Sequence, residues 1–450
     1  MPIDPENVER FKVASGTPKT MVIGDSLFNG VRSLTINAEL ASLAAPVMVA
    51  EALGEFMQAP DYPRPILFDL EAMLRQDLSL DVLRQTVVAN GKAWLETAPK
   101  WSEHVFFDNI AVAGAEIESL WQDRAGDYRA QVPFLLQQIE HSGGVPGEAI
   151  GRLWYALNTG FLLNPSGEPD LNDCTALELV AFRRPERLLV SIGSNEGLFR
   201  AGLLARYTES VRAELKAIPG KMEDLATRMA DAFGDGCVDH VYFTNLIKPS
   251  TIANLMPRVD PQGVPGCGNY FRAYFSRLLG GVDGISDGQM RQLDDLMRAV
   301  NEETEERVTR KLAVGGRAVH FVDIYDMSIG LDAKHGCVPP GQEIRVERRR
   351  VTWTLSNVPI TTSLIFGFVR GGLFSLDNMH PTTVGYAVVA NAILERIAAT
   401  EGLSPRRVPL QAAFDADSLL QNLPRRYSLV SAVVNLIGTI LLGRRRSAMV

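Results

Sequence analysis

The sequence contains few metal-binding side chains and none of the short motifs that mark nucleotide-binding or zinc enzymes. Its 450 residues include 4 Cys and 6 His, with no CxxC pair, which argues against a zinc ribbon or a dense disulfide framework. There is no GxxxxGK followed by Ser or Thr, no GxGxxG after a strand and no HExxH. His335 and Cys337 form the nearest approach to a metal-binding pair, and without a third ligand a loop is the favoured interpretation. We expect no cofactor and no metal.

The chain also lacks an excess of basic charge and a hydrophobic leader. Its 45 basic and 53 acidic side chains give a net charge of −8, which argues against a protein that binds nucleic acid. The polar N-terminal residues 1–20 lack the basic and apolar regions of a signal peptide. We therefore expect no Sec export, and a location in the cytoplasm or at the membrane periphery.

The composition is that of a folded protein. Hydrophobic residues make up 46% of the chain, and the 38 Gly and 25 Pro are ordinary numbers for this length, which excludes disordered and collagen-like classes. The length suits two or three small domains, or one large α/β domain with insertions.

Short apolar runs separated by helical patterns predict a parallel sheet. The candidate strands are rich in Val, Ile and Phe without clean alternation, as expected for strands covered on both faces; they are residues 21–23, 104–110, 187–192, 238–246 and 318–324. The clearest helix begins at Ser286, an N-cap candidate with Gln289 three residues on. This α/β alternation predicts a central parallel sheet of about five strands, with chemistry at their carboxyl ends.

Three segments exceed a minimal sheet. Residues 118–180 are predicted to be an insertion, and residues 401–450 a C-terminal extension. A third segment, 345–376, alternates at Val351, Trp353 and Leu355 like a hairpin strand.

The first candidate for chemistry follows the first strand, in the run Gly24-Asp25-Ser26-Leu27. A serine at a strand-to-helix junction is exposed at the sheet edge, where backbone N–H groups can face a developing oxyanion. The alternative is that Asp25 and Ser26 are ordinary helix-capping residues.

The second candidate is Asp377-Asn378-Met379-His380-Pro381-Thr382. A histidine can take the proton of a serine, and a carboxylate on its other ring nitrogen fixes the tautomer. Pro381 disfavours helical geometry at His380, so we expect the pair in a loop before a helix over 383–400. The alternative is that His380 is a surface residue near a helix start.

Together these two motifs resemble the GDSL, or SGNH, hydrolase superfamily. Asn109 to Ala115 and Ile192 to Glu196 resemble the two further blocks of that family and occur in the expected order. The third block departs from the family pattern, because Glu196 stands where Asp is common. The likeness covers roughly residues 18–400 and implies a hydrolase domain with the three-layer α/β/α, flavodoxin-like fold.

The resemblance also implies roles for individual residues. Ser26 would be the nucleophile, His380 the general base and then acid, and Asp377 the orienting carboxylate. The backbone N–H groups of Ser26 and Gly114 and the side-chain amide of Asn195 would form the oxyanion hole. The implied reaction is hydrolysis of a carboxylic ester, on a small-molecule or lipid substrate, through an acyl-enzyme. Two alternatives stay open: a carbohydrate O-deacetylase of the same fold, and a catalytically silent membrane-associated scaffold.

The apolar segment 429–442 is followed by three arginines. It is shorter than the roughly 20 residues that a membrane-spanning helix needs. Its Ser431, Asn435 and Thr439 recur every four residues, which allows a helix lying in a membrane interface through 429–446. The favoured alternative is a helix packed on the domain or on a second copy of the chain. The basic run at Arg345 and 348–350 is interpreted as a solvated strand edge, with a phosphate or lipid head-group contact as the minority alternative.

Overall fold

The computed structural model describes residue 11 and residues 16–76, 79–142, 146–234, 237–258, 263–280, 284–313, 316–363 and 367–424. Its strands are β1 (Thr20–Gly24), β2 (Arg187–Ser191), β3 (His240–Thr244), β4 (Leu255–Met256), β5 (Ala273–Ser276), β6 (Ile285–Ser286), β7 (Ala318–Val322), β8 (Ile344–Arg348), β9 (Val351–Leu355), β10 (Thr361–Ser363) and β11 (Gly367–Arg370).

The α-helices in the same part of the chain are α1 (Ser26–Asn29), α2 (Ala38–Ser42), α3 (Ala45–Ala52), α4 (Leu70–Arg75), α5 (Leu80–Glu96), α6 (Ser119–Gln122), α7 (Ala125–His141), α8 (Gly147–Leu163), α9 (Ala176–Arg183), α10 (Leu198–Leu204), α11 (Glu209–Ala232), α12 (Asp287–Ala313), α13 (Ile324–Gly330), α14 (Thr383–Glu401), α15 (Leu410–Ala416) and α16 (Ser418–Gln421).

The centre of the fold is a parallel four-stranded sheet in the order β1-β2-β3-β7. Every residue of β1 and β2 is buried, which explains why these runs are continuously apolar rather than alternating. The register pairs Val22 with Leu189 and Gly24 with Ser191, so the carboxyl ends of these two strands lie side by side. The predicted mixed α/β fold with a parallel sheet is confirmed.

The sheet has four strands among the described residues, where about five were predicted, because residues 104–110 form no strand. This segment lies beside β1 and makes one parallel bridge, between Val22 and Asn109. Its buried polar side chains bond elsewhere: Asp108 accepts from Gln58 N at 2.7 Å, and Asn109 donates to Phe28 O at 2.8 Å. These bonds tie the segment to residues that are remote in the chain and lie outside the sheet.

The helix predicted from Ser286 is α12, and its start has the expected reciprocal cap. Gln289 N donates to Ser286 Oγ at 3.3 Å, and Ser286 N donates to Gln289 Oε1 at 3.0 Å. Helix α12 packs along α11 and against β7, whereas α14 packs against α3 and β7. Helices therefore cover the sheet.

Within residues 118–180, the described residues form α6, α7, α8 and the start of α9, and α7 and α8 pack against each other. Almost all of α8 is buried, including Trp154 and Tyr155. The predicted hairpin strand is β9, which pairs antiparallel with β8. No helix of the described residues is long and apolar enough to cross a membrane. The apolar segment 429–442 and the arginines after it lie outside the described residues.

Candidate active site

Ser26 stands at the point where β1 passes into α1. Gly24 has a φ of +141°, and a Cβ atom there would lie 2.0 Å from the carbonyl oxygen of Ser191, so only glycine fits between the strands. The cap of α1 is Asp25, whose side chain accepts from Leu27 N at 3.1 Å. Because Asp25 is the capping residue, Ser26 is left half-buried at the carboxyl edge of the sheet.

His380 is held by Asp377, as the motif predicts. Its Nδ1 lies 2.8 Å from Asp377 Oδ2, in the loop that precedes α14. Thr382 caps that helix by accepting from Gly385 N. His380 is only 7% exposed, so the alternative interpretation as a surface residue is wrong.

The Asp377 carboxylate is buried and accepts several further hydrogen bonds. The donors, at 2.8 to 3.2 Å, are Ser375 Oγ and the backbone N–H groups of Leu34, Met379 and His380. Burial favours the neutral acid, but the charge of His380 and the hydrogen bonds from His380 and Met379 outweigh it and hold the pKa of Asp377 below its usual value. Asp377 is therefore kept ionised beside His380.

A support network behind Asp377 was missed by the sequence reasoning. Ser33 N donates to Ser375 Oγ at 2.9 Å, and Leu376 N donates to Ser33 Oγ at 3.2 Å. Ser33 and Leu34 both have positive φ, 52° and 56°, which is costly for non-glycine residues. In this backbone conformation the N–H of Leu34 donates to Asp377 Oδ2 at 2.9 Å.

The same network extends to a buried ion pair. Arg32 Nε lies 2.8 Å from Glu71 Oε1, and Ser33 Oγ donates to the same oxygen at 2.8 Å. Arg32 also approaches Asp417 at 3.3 Å. The loop of Ser33 and Leu34, which contacts Asp377, is therefore supported through Arg32 by Asp417, a residue 385 positions further along the chain.

Ser26 and His380 line one cleft of about 1090 Å³, a volume that includes space open to solvent. Phe199 also lines it, with its ring centroid 5.7 Å from that of His380. No hydrogen bond joins Ser26 Oγ to His380 in this part of the structure. Catalytic hydrogen bonds are often long without substrate, and the shared cleft places both groups against the same space.

Asp25 was assigned no role from the sequence beyond capping. It is fully buried at the cleft, and burial raises its pKa to about 6, although His380 and hydrogen bonds with Leu27 and Ser194 partly offset this. A carboxyl group beside Ser26 therefore titrates close to neutral pH.

Gly114 and Asn195, expected in the oxyanion hole, lie on two neighbouring loops. Val112 N donates to Gly24 O at 2.8 Å, which ties the loop of Gly114 to the end of β1. Asn195 Nδ2 donates to Ala115 O at 2.8 Å, which joins the two loops. The residues that line the cleft include Ser26 but neither Gly114 nor Asn195.

The departure at Glu196 has a structural explanation. Its buried carboxylate accepts from Ile117 N at 2.9 Å and lies 2.9 Å from Lys221 Nζ, which also bonds Glu118 at 2.8 Å. With Glu116, these carboxylates form the one group in the described residues that could hold a metal ion. The ammonium group of Lys221 already supplies positive charge to two of these carboxylates, those of Glu118 and Glu196.

The His335–Cys337 pair is a structural loop. Cys337 forms a disulfide with Cys267. Both ring nitrogens of His335 form hydrogen bonds within the protein. Nδ1 bonds Asp332 at 2.6 Å, and Nε2 bonds Tyr274 Oη at 2.8 Å.

Comparison with known proteins adds no identification. Neither a scan against protein-family models nor a search of curated proteins finds a match for this chain.

Proposed function

We propose that the protein is a serine ester hydrolase with an SGNH-type active site. The observation that carries the proposal is that Ser26 and the Asp377-bonded His380 line the same cleft. These are the nucleophile and the oriented base that acyl transfer requires. The parallel sheet, with Ser26 at the carboxyl end of β1, is the arrangement expected of the SGNH fold.

The first half of the reaction forms an acyl-enzyme. Ser26 Oγ attacks the ester carbonyl carbon while its proton passes to His380 Nε2, and Asp377 stabilises the imidazolium. The oxyanion of the tetrahedral intermediate is held by the N–H groups of Ser26 and Gly114 and by the Asn195 amide. His380 then gives the proton to the leaving alkoxide, and the C–O bond to the alcohol breaks.

Water completes the cycle by the same route. It attacks the acyl carbon as His380 takes its proton, and the proton returns to Ser26 Oγ as the carboxylic acid leaves.

The test is hydrolysis of p-nitrophenyl acetate and butyrate by the parent protein and by Ser26→Ala. Loss of turnover in Ser26→Ala, with activity kept in Ser42→Ala at an exposed serine on α2, would support the proposal. A folded parent that hydrolyses no ester would contradict it and favour the silent scaffold.

A further inference from the structure

The cleft beside Ser26 has an apolar wall built from several separate segments. Its lining includes Leu198 on α10, Ile252 after β3, Met327 on α13, Phe374 before the Asp377 loop and Val389 on α14. Among the described lining residues there is no Lys, Arg or Glu, and the ionisable ones are Asp25 and His380. Such a surface offers no counter-charge to a phosphate or sulfate.

Several polar side chains in the wall already form hydrogen bonds within the protein. Asn245 donates to Asp323 at 2.8 Å. Asn357 donates to Thr251 O at 3.0 Å and to Asp332 at 2.8 Å.

The hydroxyl of Ser328 on α13 is also hydrogen-bonded within the protein, because its Oγ donates to Tyr325 O at 2.7 Å. A sugar buried here would lose water without gaining matched partners, which is costly. An aliphatic chain loses nothing of this kind and gains the burial of its methylenes.

We propose that this cleft is the binding site for the acyl chain of the ester, and that the substrate carries an aliphatic acyl group longer than acetyl. The inference rests on the proposed function, since it places the ester carbonyl at Ser26. It separates the alternatives that the motifs leave open, because a carbohydrate O-deacetylase handles only an acetyl group on the acid side.

A substitution at Gly202 would change the shape of the cleft without replacing a residue that lines it. A Cβ atom at this position on α10 would lie 2.8 Å from Met379 Cε and 3.2 Å from Ile252 Cδ1, and both of these side chains line the cleft. Gly202→Ala should therefore displace them toward the acyl chain. Gly220→Ala on α11 is the matched control, because a Cβ atom there meets nothing within 4 Å.

The experiment measures kcat/KM for p-nitrophenyl acetate, butyrate, octanoate and laurate, each below its micellar concentration. Burial of methylenes predicts a rise of about two- to fourfold per methylene until the cleft is full, so that octanoate exceeds acetate by at least about 60-fold if all six added methylenes are buried. Gly202→Ala should lower the octanoate value about tenfold and leave acetate within about twofold. Gly220→Ala should match the parent on all four esters.

Binding supplies a readout that does not depend on turnover, or on Gly202→Ala folding. Ser26→Ala titrated with sodium laurate in a calorimeter should show saturable binding that competes with octanoate. Ser26-dependent hydrolysis that is flat with chain length or confined to acetate and acetylated sugars, with no laurate binding, would overturn the acyl site and leave the ester hydrolase standing. Laurate binding without hydrolysis of any ester would support the acyl site and contradict the proposed function.

Discussion

Asp377 bonds His380 through Nδ1, at 2.8 Å, and this leaves Nε2 as the nitrogen available to a serine proton. The carboxylate is buried, and His380 and the backbone N–H of Met379 hold its pKa below the usual value. Leu34 N also donates to it at 2.9 Å. The pair therefore has the ring orientation that a general base needs before any substrate arrives.

Asp377→Ala should reduce kcat by about 10²- to 10⁴-fold with little change in KM, because His380 loses the group that fixes its tautomer. Steady-state kinetics on a p-nitrophenyl ester measure this effect. Asp231→Ala, at an exposed aspartate on α11, is the control. An Asp377→Ala protein that is folded and as active as the parent would show that Asp377 does not orient the base.

Asn195→Ala should lower kcat about 10²- to 10³-fold, as expected when one oxyanion donor is removed. Because Asn195 also bonds Ala115 O, a thermal melt should accompany the kinetics to detect movement of the loop. An unchanged melt with unchanged kcat would remove Asn195 from the oxyanion hole.

Asp25→Asn should change how stability depends on pH. The pKa of Asp25 is raised from 3.8 to about 6 by burial, so the folded protein keeps a proton that the unfolded chain has released between these values. The free energy of unfolding then falls as pH rises through this window. Relative to Asp25→Asn, the parent should lose roughly 2 kcal/mol between pH 4 and pH 7. Urea unfolding across this range measures the difference, and parallel curves for the two proteins would contradict the prediction.

Lys334→Met should reveal the opposite dependence at alkaline pH. Lys334 is buried and donates to Ile252 O and Leu255 O at 2.8 and 2.9 Å. Burial lowers its pKa from 10.5 to about 8 despite the charges of Asp332 and Asp294.

Between about pH 8 and 10.5 the unfolded chain therefore holds a proton that the folded protein has released, and stability rises with pH. The parent should gain roughly 2 kcal/mol over Lys334→Met between pH 7 and pH 10. Denaturant unfolding at four pH values in this range is the measurement. A constant difference between the two proteins would mean that the folded protein does not release the Lys334 proton.

Much of the sheet was predictable because β1 and β2 are buried throughout and most of β3 is buried, so their sequences are largely apolar. The partly buried edge strand β7 was still recognisable from its Val and Phe residues. The start of α12 was predictable for a different reason: its reciprocal cap joins Ser286 and Gln289, which are only three residues apart. The segment 104–110 was predicted wrongly because it is also rich in Val, Ile and Phe, and the bonds that replace its ladder involve Gln58 and Phe28, remote in the chain.

The site was predictable only where short motifs encode it. Ser26, Asp377 and His380 belong to such motifs, whereas the bonds from Ser33 and Leu34 to the Asp377 loop join residues more than 340 positions apart. The pairing of Cys267 with Cys337 is likewise a tertiary fact, because four cysteines permit three pairings.

The most direct test of the central claim is covalent labelling of the folded protein with a fluorophosphonate, followed by peptide mapping. We expect one modified residue, Ser26, with labelling slowed by orders of magnitude in His380→Ala because the base is gone. A parent protein that is folded yet unlabelled at Ser26, or labelled equally fast without His380, would contradict the account.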